Sequence, residues 1–294
     1  MRTNRDHLVE ISVMGEIAHP AYGKNPYQIT AEGKPVILVG SGGITYNVRV
    51  GDSATAFKGD HVEPAVSIKH PQGDGFSGAN AGLNVLACIG NPARVSTGEA
   101  KGHIGLVTGK HGGAERVMID FPPATLDQLV IGDTIMIRAS GVGLELLDFP
   151  EIHVFNLSPQ LLDVWPMTAT KKHLEVPVTH RIPAAIMGSG LGRDNVARGD
   201  YDITLFDPAT REAHDLDHLR LGDLVLIEDA DHQYGRIYRQ GYHTIGVIIH
   251  GSSVVAGHGP GLTTLMTGPA STLKPQLDDT ANLAHLFKLR DDLD

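Results

Sequence analysis

Leu126–Ile137, LDQLVIGDTIMI, and Leu216–Ile227, LDHLRLGDLVLI, repeat one pattern at an offset of 90 residues. In each copy paired leucines lead to a Gly-Asp step, and a β-branched or apolar run follows. Glycine gives the backbone access to positive φ, and the aspartate side chain ties the turn through its own backbone. Each copy therefore reads as a turn that delivers the chain into a new strand. A weaker third copy, VRVGDSA, occupies residues 48–54. Asp52, Asp133 and Asp223 are expected to stabilise these turns.

Working outward, short Val- and Ile-rich runs recur between Gly, Pro, Asn and Asp: LVEISVMG, KPVILVG, ITYNVRVG, RVMIDF, DTIMIRA, DLVLIED and TIGVIIH. These are strand signals. Helical periodicity is confined to PATLDQLVIG, SPQLLDVW, AHDLDHLRLG and the tail TANLAHLFKLRDDL. AKGHIGLVTGKHGG, residues 100–113, carries a G-x-x-G-x-V spacing similar to that of SH3-like barrels in ribosomal and transcription proteins. The expected fold is mainly β, α+β only at its margins. It is a mixed β sandwich or barrel core with an inserted SH3-like small barrel and a few short helices. Residues 1–82 would form the N-terminal part of the core, 83–140 the small barrel, and 141–294 the C-terminal part with a short C-terminal helix.

The chain of 294 residues carries 24 basic and 34 acidic side chains, a formal net charge of −10. That balance argues against binding nucleic acid or an anionic membrane, both of which need basic surface. Apolar runs such as LVLI at 224–227 are too short to span a bilayer. The opening MRTNRDHLVEISV has no continuous apolar stretch before a small-residue cleavage site, so a cytoplasmic location is expected. A single cysteine, Cys88, excludes an intrachain disulfide and a multi-cysteine zinc site. Within LACIGN it reads as a buried small hydrophobe. With 16 histidines, metal ligation and proton transfer are the chemistries to look for.

Four stretches are candidates for that chemistry. In GDHVEP, Asp60, His61 and Glu63 crowd behind a glycine. On a strand His61 and Glu63 would share one face, suited to metal binding or acid–base work. In VIIHGSSVVAGHGPG, residues 247–261, a turn at Gly251–Ser253 would bring His250 toward His258, whose flanking glycines leave room for a ligand. His243, seven residues before His250, falls on the opposite face and is set apart. In TGKHGG, His111 stands at a glycine turn beside Lys110, which could hold an anion. In IMGSGLGRDN, Gly188, Gly190 and Gly192 could form an anion nest, although the spacing lacks the dinucleotide fingerprint. A G-x-S-x-G nucleophile elbow is absent.

NRDHLVEISVMGEIA, GGITYNVRVGDSA, GDHVEP, CIGN, AKGHIGLVTGKHGG, VPVTHRIPAAIMGSGLG, YDI, and YGRIYRQG through AGHGPG together resemble the family catalogued as domain of unknown function 4438, from about Asn4 to Gly268. The resemblance implies a mostly β architecture with an SH3-like module and supplies no reaction. Locally, GITYNVRVGDSATAFKGDHVEP is similar to acetamidase/formamidase enzymes at Val50-Gly51-Asp52, Gly59-Asp60 and Glu63, with Ser53 where those enzymes tend to have histidine. The function expected from these residues is metal-assisted hydrolysis of a small polar substrate, with an amide as one candidate. Asp60, His61, His250 and His258 would hold zinc, manganese or iron; Glu63, as general base, and His111 would be catalytic. The competing expectation is a non-enzymatic ligand-binding or assembly protein built from β barrels. A homo-oligomer is expected in either case.

Overall fold

A computed structural model describes residues 1–22, 25–72, 77–190 and 195–293. The protein is mainly β, as its turn-and-strand pattern requires, and is built around two large sheets. The first comprises β1 (Ile11–Ile17), β2 (Ala65–Lys69), β3 (Pro92–Val95), β4 (Ile104–His111), β5 (Arg116–Asp120) and β6 (Thr134–Ala139). Its strands run in the order β1–β6–β3–β4–β5–β2, and β2 returns to β1 through the pairs Glu16–Lys69 and Ile17–Ile68. This closes an antiparallel six-stranded barrel without free edges. Ile17, Ile68, Val95, Val107, Ile119, Ile135 and Ile137 are buried in its core, while Met136, between two of them, is exposed. That alternation is the period of a strand with one face inward.

The strands between residues 83 and 140 supply four walls of this barrel, and β1 and β2 from the first 82 residues supply the other two. Helix α1 (Gly78–Leu86) packs its buried Leu83 close against Gly15 of β1. Its sequence, GANAGLNVL, is rich in weak helix formers, so tertiary packing rather than propensity makes it helical. Cys88 follows this helix and is fully buried.

The second large sheet is open. It comprises β7 (His180–Pro183), β8 (Met187–Gly190), β9 (Tyr201–Ile203), β10 (Leu224–Asp231), β11 (Ile237–His250) and β12 (Gly261–Pro269). The order is β7–β10–β11–β12–β9–β8, with β7 and β10 parallel and the other neighbours antiparallel. The barrel and this sheet meet where β4 packs on β11: a Cβ at Gly109 would overlap Ile249.

The three Gly-Asp steps adopt one geometry. Gly51, Gly132 and Gly222 have φ of 97°, 91° and 85°. The following aspartates each accept the N–H three residues back: Asp52 from Arg49 at 2.7 Å, Asp133 from Val130 at 3.0 Å, and Asp223 from Arg220 at 2.8 Å. The second copy feeds β6 and the third feeds β10. The first copy pairs with the third through Gly51 N–H to the Leu221 carbonyl and Leu221 N–H to the Asp52 carbonyl, each 2.8 Å. No helix among the described residues is long and apolar enough to cross a membrane.

Candidate functional site

Where the two sheets meet, the chain brings together four histidines and two aspartates. His61 stands on the loop before β2, His111 ends β4, and His250 ends β11. His258 lies on the loop between β11 and β12, and Asp200 and Asp202 lie at the start of β9. The GDHVEP segment is a tight loop instead of the expected strand: His61 has a left-handed φ of 53°, a conformation costly for a residue with a Cβ. That turn aims its imidazole into the cluster.

Three of the histidines have one ring nitrogen engaged and the other facing the centre. His61 Nδ1 lies 2.9 Å from Asp60 Oδ2. His111 Nδ1 lies 2.5 Å from Glu63 Oε1. His250 Nδ1 lies 2.9 Å from the Gly251 carbonyl. With these nitrogens as donors, as a bound cation would require, the Nε2 lone pairs would point inward. Without one, His250 Nδ1 also receives the Gly261 N–H at 3.2 Å and its Nε2 faces Asp200. Inside, His250 Nε2 is 2.9 Å from Asp200 Oδ2, and His61 Nε2 is 3.4 Å from Asp202 Oδ2. His258 uses its other face: its Nδ1 lies 2.7 Å from Asp202 Oδ2 and 3.2 Å from His61 Nε2.

Two sets of donors, His61–Asp202–His250 and His111–Asp200–His250, each lie within 4.8 Å of one another. Histidine nitrogen with carboxylate oxygen is a donor set suited to zinc, manganese or iron. Gly261, opposite His250 on β12, makes this closeness possible, because a Cβ there would overlap both Asp200 Oδ2 and His250 Nε2.

All six expected site residues arrive here, but in two layers. Asp60 accepts hydrogen bonds from Ser253 Oγ (2.6 Å) and Gln28 Nε2 (2.6 Å) besides contacting His61. Glu63 accepts from Ser67 Oγ (2.5 Å) and the Gly42 N–H (2.7 Å), with Arg116 3.6 Å away. Both carboxylates are buried behind their histidines. This placement fits orientation of an imidazole and does not fit Asp60 as an ion ligand or Glu63 as a base on bound water. Asp200 and Asp202, absent from the expected set, take the inner positions.

Other expected features fall elsewhere. Lys110 Nζ is fully buried and donates to Asn156 Oδ1 (2.8 Å) and the Ala197 carbonyl (3.0 Å), so it is turned away from any anion at the turn. His243 Nδ1 meets the Leu273 carbonyl at 2.8 Å, away from the cluster. Ser189 and Gly190 line the site's cavity, whereas Gly192 lies outside the described residues.

The protonation of the cluster follows from its carboxylates. Burial pulls His61 down, but hydrogen bonds with Asp202 and Asp60 outweigh it and lift its pKa to about 10. Burial also opposes charge on His111, yet Glu63 raises it. Against their burial, His111, Arg116 and Ser67 hold Glu63 down at about 2, and His61, Ser253 and Gln28 hold Asp60 below the usual carboxylate range. Without a cation the carboxylates thus favour protonated imidazoles at His61 and His111, and a metal ion would compete with those protons.

Two cavities meet at His61 and His111. One, of about 170 Å³, is walled by Gly112, Gly113, Ser189, Gly190, Asp200, Asp202 and His258. The other, of about 400 Å³, runs out past Tyr22, Asn25, Gln28 and Ser41. Neither has a lysine or arginine among its described lining residues.

The sequence matches two adjoining models, the N-terminal domain of DUF4438 over residues 27–163 and its C-terminal domain over 164–287. The chain belongs to the DUF4438 family. The boundary between the two DUF4438 models separates the barrel from the open sheet, so the histidine–aspartate cluster draws on both. A crystal structure solved as TM1086 is 44% identical to this DUF4438 chain, aligns over 97% of it and 98% of its own length, and superposes with a TM-score of 0.91. No functionally curated protein matches the chain.

Proposed function

We propose that this protein is a metal-assisted hydrolase of a small, neutral, polar substrate, with an amide as the favoured class. The observation that carries the reading is the trio of tethered imidazoles, His61, His111 and His250, presenting Nε2 toward two buried aspartates. A carboxylate or carbonyl behind a ligating histidine fixes its tautomer and raises its basicity. A divalent ion here would lower the pKa of a bound water toward neutrality and polarise a substrate carbonyl. In amide hydrolysis the water oxygen bonds to the carbonyl carbon, the carbon–nitrogen bond breaks, and a water hydrogen ends on the leaving nitrogen. The absence of a cationic side chain from the described cavity walls favours an uncharged substrate over a phosphate or carboxylate.

The test is elemental analysis of the purified protein, thermal melts with added Zn²⁺, Mn²⁺ or Fe²⁺, and amine release from a panel of small amides. Binding at 100 times the dissociation constant should stabilise the fold by about 2.7 kcal/mol. No bound ion and no shift in melting with any of the three would end the metal reading; metal binding without amine release would end the amide assignment.

One observation favours self-association beside this chemistry. Tyr22, Tyr27, Ile29, Ile37, Val39 and Tyr46 are all exposed within residues 22–46, a stretch that also supplies Tyr22, Gln28 and Leu38 to the wall of the larger cavity. A second copy covering them fits the tendency of large exposed apolar patches to be contact surfaces. Sedimentation of Val39→Glu against the unaltered protein tests it: a dimer that persists in the variant would remove this segment from the interface.

A further inference from the structure

The two oxygens of Asp202 face different partners. Oδ2 lies 2.7 Å from His258 Nδ1 and 3.4 Å from His61 Nε2, and those nitrogens are 3.2 Å apart. Donors bound to one ion at roughly 2.1 Å stand about 3.0–3.4 Å from each other in octahedral or tetrahedral geometry. This trio has nearly that spacing before any ion is present. Oδ1 of the same aspartate points the other way, 3.7 Å from His250 Nε2.

A single imidazole nitrogen has one lone pair and serves one ion. His250 Nε2 approaches Asp200 Oδ2 at 2.9 Å, closer than it approaches Asp202, which groups it with Asp200 and His111. The cluster therefore separates into two sets of donors on either side of the Asp202 carboxylate. Charge points the same way. Asp60, Glu63, Asp200 and Asp202 are all buried, and Arg116 is the guanidinium beside them. With every imidazole neutral, two divalent cations and one bridging hydroxide neutralise that set, whereas a single divalent ion does so only if one imidazole stays protonated. Buried charge needs such compensation.

Resting on the metal-centre reading above, we propose that the site binds two divalent cations side by side, bridged by Asp202. His61, His258 and Asp202 Oδ2 hold one ion. His111, His250 and Asp200 hold the other, with Asp202 Oδ1 reaching across. An ion separation of about 3.5–4 Å is the arrangement in which a water is shared and activated by both metals.

Titration of the metal-stripped full-length protein with Mn²⁺, read by elemental analysis and electron paramagnetic resonance, tests the proposal. Two ions per chain are expected at saturation, with the broadened spectrum of a spin-coupled pair. His258→Ala, which changes a half-exposed loop residue, should bind one ion and show the sharp hyperfine pattern of an isolated Mn²⁺. Saturation of the unaltered protein at one ion overturns the bridged pair while leaving a mononuclear centre standing; no binding of Mn²⁺, Zn²⁺ or Fe²⁺ removes the metal reading itself. Two ions with uncoupled spectra, or two ions retained in His258→Ala, also overturn the bridge through Asp202.

Discussion

The barrel and the open sheet anchor the Nδ1 of their buried histidines differently. In the barrel half Glu63 pairs with His111 at 2.5 Å and Arg49 with Asp120 at 2.7 Å, whereas Lys110 is buried against neutral acceptors. The imidazoles this half contributes are held by carboxylates. In the open sheet the buried histidines rest Nδ1 on neutral groups, although His250 Nε2 meets Asp200 at 2.9 Å and the half-exposed His258 is held by Asp202 at 2.7 Å. His250 is held by the Gly251 carbonyl and by the bare backbone of Gly261, and His232 is buried with Nδ1 on Thr264 Oγ1 and no hydrogen-bond partner for Nε2 among the described residues. One half therefore positions its side chains by charge and the other by close approach, so substitutions of different kinds should disable them.

The largest effect is expected from the smallest added group. Gly261→Ala places a methyl against Asp200 Oδ2 and His250 Nε2 without removing a ligand. Because the overlap is with the donor atoms themselves, we expect metal binding by the His111–His250–Asp200 set to be lost, with a fold still able to close its barrel. Calorimetric titration with Zn²⁺ checks this. Affinity unchanged from the unaltered protein would show that close approach is not what holds this half of the site.

Acid stability separates the halves next. Burial and the nearby Arg236 charge lower the pKa of His232 from the ordinary 6.5 to about 3. Between those values the unfolded chain binds a proton that the folded protein refuses, so stability is full above pH 6.5 and falls as pH drops toward 3. At 1.36 kcal/mol per pH unit the loss is on the order of 5 kcal/mol across the window. His232→Gln should flatten that limb in urea unfolding measured between pH 7 and 4. An equally steep limb in the variant would assign acid sensitivity to other groups.

The barrel half is probed by its carboxylates. Glu63→Gln should weaken metal affinity about 10–100-fold, the usual cost of removing the partner behind a ligating histidine. Asp60→Asn should fall at the lower end of that range. Glu63 accepts from Ser67 and Gly42 as well as His111, with the Arg116 guanidinium 3.6 Å away, and a glutamine NH₂ would face some of these groups. Asp60 receives Ser253 and Gln28 besides His61, with no guanidinium beside it among the described residues. Equal losses in the two variants would mean that the Arg116 side of the network contributes nothing to holding His111.

Much of this was legible in the sequence, for reasons that also mark its limit. Gly-Asp turns and β-branched runs are local, and so were readable as a mainly β chain. Closure of the barrel depends on β1 meeting β2 across some 50 residues, a pairing that no local pattern encodes. Histidines beside glycines pointed to His111, His250 and His258, and the crowding of Asp60 and Glu63 pointed to His61; the four do converge. The layering did not follow, because whether Asp60 binds an ion or steadies His61 depends on the φ of His61, set by tertiary contacts. Asp200 and Asp202 left a usable signal: in GDYDI, alternation on a strand puts both aspartates on one face and turns Tyr201 to the other. Helix α1 left almost none, since two of its three buried positions are Asn80 and Asn84 and Gly occurs twice, so no apolar stripe marks it.

The smallest expected effect returns to the repeated turns. Asp133→Ala removes acceptors for the Val130 N–H (3.0 Å) and the Thr97 hydroxyl (3.1 Å), both near solvent that can replace them. A loss of about 1 kcal/mol is expected. Asp223→Ala acts on the same sequence step in the open sheet, where the carboxylate is fully buried and accepts from Asn282 Nδ2 at 2.8 Å, with the Arg220 guanidinium at 3.1 Å. Its removal strands a buried amide donor, so about 2–3 kcal/mol is expected from that variant. Urea unfolding of the two variants side by side decides between them. The same loss in both would mean that the turn hydrogen bond sets the cost in each copy, and that the third copy gains nothing from its place beneath the tail.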